Sequence, residues 1–237
     1  VRIQIREDQD VLSAGGAIAV IMAAAYPDLF AAVGVHSGLA YKSATSRSEA
    51  RPAMAAAGAD PARLGQLAFE AMGSLGQSKH LMRVIVFQGT KDGAVSAANA
   101  DRINSQWRRP TISLTMRKTI TALMTWPTAS RKARFPTDTL LRCTSTRTTR
   151  TKPLMEKWIV DEMKHAWSGG AAGVLNADPK GPDASMAMWR FFSSRRPCGS
   201  SPGSLLYLRV KEKPFSFSIS HLMQLNPYRG GKVKATT

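Results

Sequence analysis

The stretch that decides the fold runs from Ala14 to Gly38 and reads AGGAIAVIMAAAYPDLFAAVGVHSG. Its first half, residues 15–26, is rich in alanine, isoleucine and methionine and ends at Pro27, which predicts a buried helix with a proline stop. Its second half holds a short apolar run at residues 30–35, followed by His36-Ser37-Gly38, which is typical of a buried parallel strand. A buried helix followed directly by a buried strand indicates an α/β protein.

The same alternation of strands and helices continues along the chain. Apolar runs predict strands at 82–87 and 154–160, and the helical patterns lie at 60–72, 96–107 and 183–192. We therefore predict an α/β fold built on a doubly wound parallel sheet. In such a sheet, functional side chains lie beyond the carboxyl ends of the strands.

The charge of the chain is strongly uneven. Its 237 residues carry a formal net charge of +17. Residues 105–153 hold 11 Lys/Arg and 1 Asp, and residues 194–237 hold 8 Lys/Arg and 1 Glu, so these two segments contain the whole excess. Neither keeps a period of 3.6 or 2, so we interpret them as a solvated loop and tail, with adhesion to polyanions as the lesser alternative. Neither interleaves aromatic residues densely enough for base stacking, so no specific nucleic-acid partner is predicted.

The composition also argues against other classes of protein. The longest uncharged apolar stretch, residues 14–26, is too short to cross a bilayer, so no membrane span is predicted. Residues 1–10 lack the apolar core of a signal peptide. Cys143 and Cys198 are too few for a disulfide framework and lack the spacing of a zinc site, so no metal is predicted.

Three side chains at or near such loop positions could form a catalytic site. Ser13 precedes the first predicted helix, Asp92 follows the second predicted strand, and His165 follows the third. The chain order Ser, Asp, His is that of the α/β-hydrolase triad. A serine hydroxyl needs an imidazole to accept its proton, and the imidazole needs a carboxylate to fix its tautomer. The backbone N–H of Ala14, at the start of the helix, is the expected oxyanion donor.

Each of these residues also has an ordinary structural interpretation. Ser13 could be a simple helix N-cap, and Asp92 could only start the turn Lys91-Asp92-Gly93. His165 is followed by Ala-Trp-Ser-Gly-Gly, where no packing need for an imidazole is evident, and we interpret it as catalytic. We interpret His36 as a packing residue beneath Ser13. Trp167 is expected either in a substrate pocket or in the core.

Three blocks of the chain resemble the poly(3-hydroxybutyrate) depolymerase family of esterases. They are Leu12-Ser13-Ala14-Gly15-Gly16-Ala17 with its continuation to Leu39, Val86-Phe87-Gln88-Gly89-Thr90-Lys91-Asp92 with its continuation to Asp101, and the stretch from Trp158 through His165-Ala166-Trp167-Ser168-Gly169-Gly170 to Ser185. The resemblance covers residues 11–104 and 153–193.

This resemblance implies a fold, a reaction and a location. The fold is that of the α/β-hydrolases, and the reaction is hydrolysis of a polyester or a small acyl ester through an acyl-serine intermediate. The family implies no metal or organic cofactor and often implies secretion, which places the protein outside the cell. Carried over by position, the resemblance makes Ser13 the nucleophile, Asp92 the acid and His165 the base.

The chain departs from the family pattern at identifiable positions. Val11 replaces the first glycine of the Gly-x-Ser-x-Gly turn, where a β-branched side chain is expected to crowd the helix. Gln88 stands where the family has histidine, and Glu162 and Lys164 stand where it has glycines. The family's block before the turn, with its first strands and a second oxyanion donor, is absent. The sheet is therefore expected to be incomplete on its N-terminal side and to expose an unpaired edge.

These observations predict a domain organisation. We predict a partial α/β-hydrolase catalytic domain over residues 1–193, with a basic Thr/Arg-rich insert at 105–152, and a basic, poorly ordered tail at 194–237. A change of reading frame over residues 1–10, 105–152 and 194–237 would account for both the charge bias and the lost glycine. Resequencing the gene tests that hypothesis.

The function expected from the sequence is that of a serine carboxylic-ester hydrolase. One alternative is a catalytically inactive remnant of such an enzyme, which Val11 and the missing strands favour. The other is a basic polyanion-binding protein, which only the net charge favours. The oligomeric state is left open by the sequence.

Overall fold

A five-stranded sheet forms the centre of the fold in the computed structural model. Its strands, in chain order, are β1 (Ala32–His36), β2 (Arg83–Gly89), β3 (Thr128–Arg134), β4 (Leu140–Arg147) and β5 (Pro153–Val160). Their order across the sheet is β1-β2-β5-β4-β3, and a separate small sheet pairs β6 (Trp167–Ser168) with β7 (Ala177–Asp178). The structure describes residues 12–30, 32–73, 82–116, 128–134, 140–147 and 153–193.

The five-stranded sheet is mixed. β1, β2 and β5 run parallel, with Val35 opposite Val86 and Val86 opposite Lys157. β4 is antiparallel to β5, and β3 is antiparallel to β4. The carboxyl ends of the three parallel strands therefore meet at one edge of the sheet, and the loops that follow these strands lie side by side there.

Helices cover both faces of this sheet. They are α1 (Ala14–Ala25), α2 (Arg47–Met54), α3 (Pro61–Ala71), α4 (Ala98–Met116) and α5 (Ala184–Ser193). On one face, α1, α3 and α4 bury Val20, Leu64 and Ile103 against the strands. On the other face, α5 buries Met188 and Phe191.

The side chains of β2 show why both faces need a cover. Val84 and Val86 belong to the core on one side of the sheet, and Ile85 and Phe87 belong to the core on the other side. All four are 0% exposed, so the strand is a continuous apolar run rather than an alternating one. The predicted α/β, doubly wound fold, with its α/β-hydrolase-like succession of parallel strands and helices, is confirmed.

The predicted elements are present with small changes at their ends. The largest change is in α4, which the sequence predicts to end at Trp107 and which extends to Met116. Gln106 and Trp107 are fully buried in it, so the beginning of the basic 105–152 segment is part of the packed fold. Asp183 caps α5 as predicted, because its carboxylate accepts the Met186 N–H at 2.8 Å.

The interpretation of residues 110–152 as a solvated loop is wrong for β3 and β4, which pair antiparallel inside that segment. In β4, Leu141, Cys143 and Ser145 are buried, whereas Arg142 between them is exposed. The alternation is hard to detect in the sequence because small polar residues occupy part of the buried face and arginines dominate the composition. The sheet is therefore mixed rather than purely parallel.

Predictions on both ends of the chain lie outside the described residues. They concern Val11, the sheet strands that the resembled family has before the Ser13 turn, and the tail at 194–237. At this boundary, Leu12 forms an isolated parallel bridge with His36. None of the helices in the described part of the chain has the length and apolarity needed to cross a membrane.

Candidate active site

Ser13 occupies a strained turn between the Leu12 bridge and α1. Its φ of 62° and ψ of −110° lie in a region that non-glycine residues rarely adopt. Three backbone hydrogen bonds of 3.1 Å hold the turn: the Ser13 N–H donates to the His36 carbonyl, the Gly15 N–H to the Leu12 carbonyl, and the Ala17 N–H to the Ser13 carbonyl. The Ser13 side chain makes no capping hydrogen bond to α1, so the interpretation of this serine as a simple N-cap is wrong.

This turn directs the N-terminus of α1 toward the site. Ala14 is the first residue of the helix, where backbone N–H groups lack partners within the helix and the helix dipole is positive. Close packing supports the turn: a Cβ built on Gly38 would lie 2.9 Å from the Gly16 carbonyl carbon. Only glycine at position 38 allows α1 to begin this close to the end of β1.

The second predicted residue, Asp92, lies in the loop after β2. Its Oδ1 accepts the backbone N–H groups of Ala94 (2.9 Å) and Val95 (2.8 Å), and its Oδ2 accepts Nε2 of Gln88 (2.9 Å). The carboxylate is therefore the centre of a tight turn, as the structural interpretation of Asp92 predicts. Its side chain is fully buried, which the turn alone does not require.

His165 faces this carboxylate from the loop after β5. Its Nδ1 lies 3.0 Å from Asp92 Oδ1 and 2.9 Å from Asp92 Oδ2. The carboxylate already accepts backbone N–H groups and is an acceptor only, so Nδ1 carries the proton and donates it. Nε2 is then the nitrogen of the ring that can accept a proton. The His165 side chain is 22% exposed.

The charge state of Asp92 follows from these contacts. Burial raises the pKa of its carboxyl, but hydrogen bonds from the Val95 N–H, His165 and the Ser37 hydroxyl lower it more, so the pKa of Asp92 lies below its ordinary value. The carboxylate therefore stays ionised and favours the Nδ1-protonated tautomer of His165.

A close approach of backbones brings the two loops together. A Cβ built on Gly89 would lie 2.1 Å from the Met163 carbonyl oxygen, so only glycine fits at the end of β2. The Lys91 N–H donates to that same Met163 carbonyl at 3.0 Å. The Glu162 N–H donates to Thr90 Oγ1 at 2.9 Å, which adds a second link between the two loops.

Glu162 adopts the conformation that favours glycine, with a φ of 57°. The sequence singles out Glu162 and Lys164 as replacements for family glycines. Of these two, only Glu162 has a positive φ. The backbone is therefore strained at Glu162 and not at Lys164. The loop that carries His165 nevertheless makes the contacts to Asp92 described above.

His36 is the buried centre of the site. It is 0% exposed, and its ring stacks on Phe87 (centroids 5.7 Å apart) and on Trp167 (4.8 Å). The Ser168 N–H donates to its Nε2 at 3.0 Å, and its Nδ1 lies 3.3 Å from Ser37 Oγ. Burial lowers the pKa of His36 to about 3, so the ring is neutral at physiological pH.

Asp92 and His165 are thus brought into direct contact, whereas Ser13 reaches them through His36. Within the described part of the chain, Ser13 Oγ makes no hydrogen bond to His165. Ser13 is bound through its N–H to the His36 carbonyl, and the loop of His165 is bound to the ring of that same residue. Trp167 donates Nε1–H to Ser185 Oγ at 3.2 Å and packs against His36, which favours its structural interpretation.

Sequence reasoning missed three contributors to this site. Gln88, noted only as a departure from the family, donates to Asp92 Oδ2 and to the Val95 carbonyl. Ser37 contributes to the lowered pKa of the Asp92 carboxyl. His36 has more polar contacts than a packing residue needs. The available signal was position, because His36 ends β1, Ser37 follows it directly, and Gln88 lies at the end of β2, four residues before Asp92.

A cavity of about 630 Å³ opens beside Asp92. Arg51, Pro52 and Met54 of α2 line one side, and Ala94 and Ala97 line the other. Within the described residues, no cluster of histidine, cysteine and carboxylate side chains could hold a metal ion.

Comparison with known proteins points to an esterase. Residues 6–118 match the family described as Esterase PHB depolymerase, a range that includes Ser13 and Asp92 and ends before His165. The resemblance read from the residues is thereby confirmed. The match also runs through residues 6–10 and 105–118, which counts against a change of reading frame in those parts of the chain.

Comparisons with curated sequences and with solved structures say less about the family of this chain. A comparison with curated protein sequences gave no match. Among solved structures, the chain is similar to the acetyl xylan esterase from Aspergillus awamori, with 19% identity and a TM-score of 0.46. The similar region covers 67% of this chain and 55% of that esterase, so this chain spans about half the length of that protein.

Proposed function

We propose that this chain, whose residues 6–118 match the Esterase PHB depolymerase family, is a serine carboxylic-ester hydrolase with Ser13 as nucleophile, His165 as general base and Asp92 as the acid that orients it. The observation that carries the proposal is the contact of His165 Nδ1 with both oxygens of a buried, multiply hydrogen-bonded Asp92. A histidine held in this way has one nitrogen left to take a proton.

The conformation of Ser13 supports its assignment as the nucleophile. A serine at φ 62° lies in a sparsely populated conformation that costs about 1–3 kcal/mol and persists only where the surrounding structure imposes it. The nucleophile turn of the α/β-hydrolases is such a strained connection, placed just before a helix. The position of Ser13 immediately before α1 agrees with that arrangement.

In the proposed acylation, His165 Nε2 takes the proton of Ser13 Oγ while that oxygen bonds to the ester carbonyl carbon. The carbonyl oxygen becomes an oxyanion, for which the Ala14 N–H at the start of α1 is the proposed donor. The intermediate then collapses, the bond to the alcohol oxygen breaks, and His165 gives its proton to the leaving alcohol. The products of this half-reaction are an acyl-Ser13 ester and a free alcohol.

Deacylation repeats these steps with water. His165 Nε2 removes a proton from water, whose oxygen bonds to the acyl carbon. The second intermediate collapses as the bond to Ser13 Oγ breaks, and His165 returns its proton to that oxygen. Throughout, Asp92 stays ionised and stabilises the imidazolium that forms. The balance is one ester and one water converted to one acid and one alcohol.

The substrate proposed is a polyester of hydroxy acids or a small acyl ester, on the strength of the matched family. The cavity beside Asp92 has room for such a group, and its lining combines apolar Pro52 and Met54 with polar Arg51 and Thr90. An extracellular location is proposed on the family resemblance alone.

Covalent labelling tests the proposal. The full chain is treated with a fluorophosphonate, which reacts with activated serines, and the labelled peptide is identified by mass spectrometry. We expect the label on Ser13, its loss in Ser13→Ala and in His165→Ala, and its retention in Ser48→Ala, which removes an exposed serine hydroxyl of α2.

Two results would count against the assignment. Ester turnover that survives Ser13→Ala would exclude Ser13 as nucleophile. Absence of labelling both in the parent chain and in Val11→Gly would favour the alternative that the protein is an inactive remnant of such an esterase.

A further inference from the structure

The buried His36 links the Ser13 turn to the loop of His165. Its carbonyl accepts the Ser13 N–H, its Nε2 accepts the N–H of Ser168 in the loop of His165, and its Nδ1 lies 3.3 Å from Ser37 Oγ. A residue that only fills space in the core needs none of these polar contacts.

The protonation pattern of this network is forced by its ends. The Ser168 backbone N–H is an obligatory donor, so His36 Nε2 must accept and the proton of the neutral ring must sit on Nδ1. Nδ1–H then donates to Ser37 Oγ at 3.3 Å. Ser168, His36 and Ser37 are thus joined by two directed hydrogen bonds, which fix the orientation and the tautomer of the His36 ring.

We propose that His36 and Ser37 are positioning residues of the catalytic site, and that the hydrogen bonds of His36 fix the His165 loop relative to the Ser13 turn. The proposal rests on the proposed function for its catalytic consequence. Neither residue touches the reacting atoms; both act by orienting residues that do.

The surroundings of His36 are those such a role requires. Phe87 and Trp167 enclose the ring by stacking, so its orientation is set before the hydrogen bonds form. Burial keeps the ring neutral, and a neutral ring is needed because an imidazolium has no acceptor for the Ser168 N–H. Ser37 directly follows β1 and is held at a φ of 48°, in the left-handed region.

Ser37→Ala is the smallest change that interrupts these two hydrogen bonds. It removes the acceptor of His36 Nδ1–H. We expect kcat for a p-nitrophenyl ester to fall about 10- to 100-fold with KM nearly unchanged, since a small misplacement of catalytic groups has effects of this size. The matched control is Ser145→Ala, an equally buried serine of β4 whose hydroxyl lacks a hydrogen-bond partner among the described residues, and we expect parent values for it.

Two variants of His36 separate packing from hydrogen bonding. His36→Phe keeps a ring between Phe87 and Trp167 and loses both polar contacts. His36→Asn loses the stacking and keeps an N–H close to the position of Nδ1. We expect His36→Asn to retain more of the parent kcat than His36→Phe, and equal or higher kcat in His36→Phe would mean that the ring acts by packing alone.

Nuclear magnetic resonance gives a readout that does not depend on turnover. The proton on His165 Nδ1, held against a carboxylate, is expected to give a low-field ¹H resonance that is lost in His165→Gln. It should move or broaden in Ser37→Ala and stay in place in Ser145→Ala. An unmoved resonance together with parent kcat in Ser37→Ala would overturn the positioning proposal.

The two proposals fail in distinguishable ways. Fluorophosphonate labelling of the parent at Ser13 with an unmoved resonance in Ser37→Ala would leave the esterase function standing and remove the role of Ser37. If the resonance moves in Ser37→Ala but the parent chain takes no label, the positioning role is supported and the esterase function is contradicted.

Discussion

The Asp92–His165 pair and the Ser13 turn are held in place by different interactions. Asp92 accepts hydrogen bonds from two backbone N–H groups, from Gln88 and from His165, and its loop is bound directly to the loop of His165. Ser13 is held by the backbone hydrogen bonds of its strained turn and by the single bridge of Leu12.

The difference shows which half of the site is sensitive to its context. The Asp92–His165 half is fixed by many contacts between its loops, and each of them contributes to its geometry. The Ser13 half depends on a few backbone contacts, and Val11 directly precedes the Leu12 bridge. The following predictions test this comparison, beginning with the largest expected effect.

Asp92→Asn should lower kcat/KM by about 10⁴-fold, because the amide no longer imposes the Nδ1-protonated tautomer on His165. The measurement is turnover of a p-nitrophenyl ester of a short acid. The matched control is Asp101→Asn, which removes a surface carboxylate paired with Lys157 and should leave kcat/KM unchanged. A loss below tenfold in Asp92→Asn would show that this carboxylate does not orient the base.

Val11→Gly should raise kcat/KM and the rate of fluorophosphonate labelling by up to about 10²-fold, because a misplacement of roughly 1 Å in a reacting group costs about that factor. This prediction rests on the sequence alone, since Val11 lies outside the described residues. Val33→Gly, a glycine introduced in β1, serves as control and should only destabilise the fold. No gain in Val11→Gly would mean that the turn does not depend on this position.

Protonation of His36 should make the fold less stable in mild acid. The unfolded chain binds a proton at the ordinary histidine pKa of 6.5, whereas the folded state resists it until about pH 3. Stability contributed by the neutral ring is complete above pH 6.5 and falls as the pH drops toward 3, by about 2 kcal/mol at pH 5. Urea unfolding at pH 7 and at pH 5 measures this loss of folding stability. His36→Phe should remove this part of the pH dependence, and an unchanged slope in that variant would contradict the assignment.

Glu162→Gly should stabilise the fold by about 0.5–1 kcal/mol, because relief of the left-handed conformation exceeds the added freedom of glycine in the unfolded chain. The exposed ion pair of Glu162 with Lys91 (3.8 Å) contributes little. Lys164→Gly is the matched control, and it should destabilise by a similar amount because the φ of Lys164 is not positive. Equal effects of the two variants in thermal unfolding would refute this explanation.

The sequence predicts those parts of the fold whose signals are local. The apolar runs around Val84–Phe87 and Leu154–Val160 and the helix after Ser13 are found at their predicted positions, because continuous burial and proline or N-cap signals act within a few residues. β4 is missed because its buried face includes Cys143 and Ser145 as well as Leu141. Its pairing with β5 is decided by residues distant in the chain rather than by propensity.

The same division applies to the candidate site. The positions of Asp92 and His165 follow from chain order and from the strand ends, and the structure places the two side chains in contact. The roles of Gln88, Ser37 and His36 could not be predicted, because each depends on hydrogen bonds between loops that meet only in the folded chain. The role of Ser13 stays a prediction that the labelling experiment tests.

The hydrogen bond from Ser168 to His36 closes a loop of 132 residues, and the contact of His165 with Asp92 closes one of 73 residues. Loop closure of this length is entropically unfavourable early in folding, and folds dominated by distant contacts fold slowly. On the ribosome, α1, β1 and β2 are complete long before the segment that carries His165 emerges. Reactivity of the site is therefore the last property the chain acquires during its synthesis, and during refolding it should lag behind the return of helical circular dichroism.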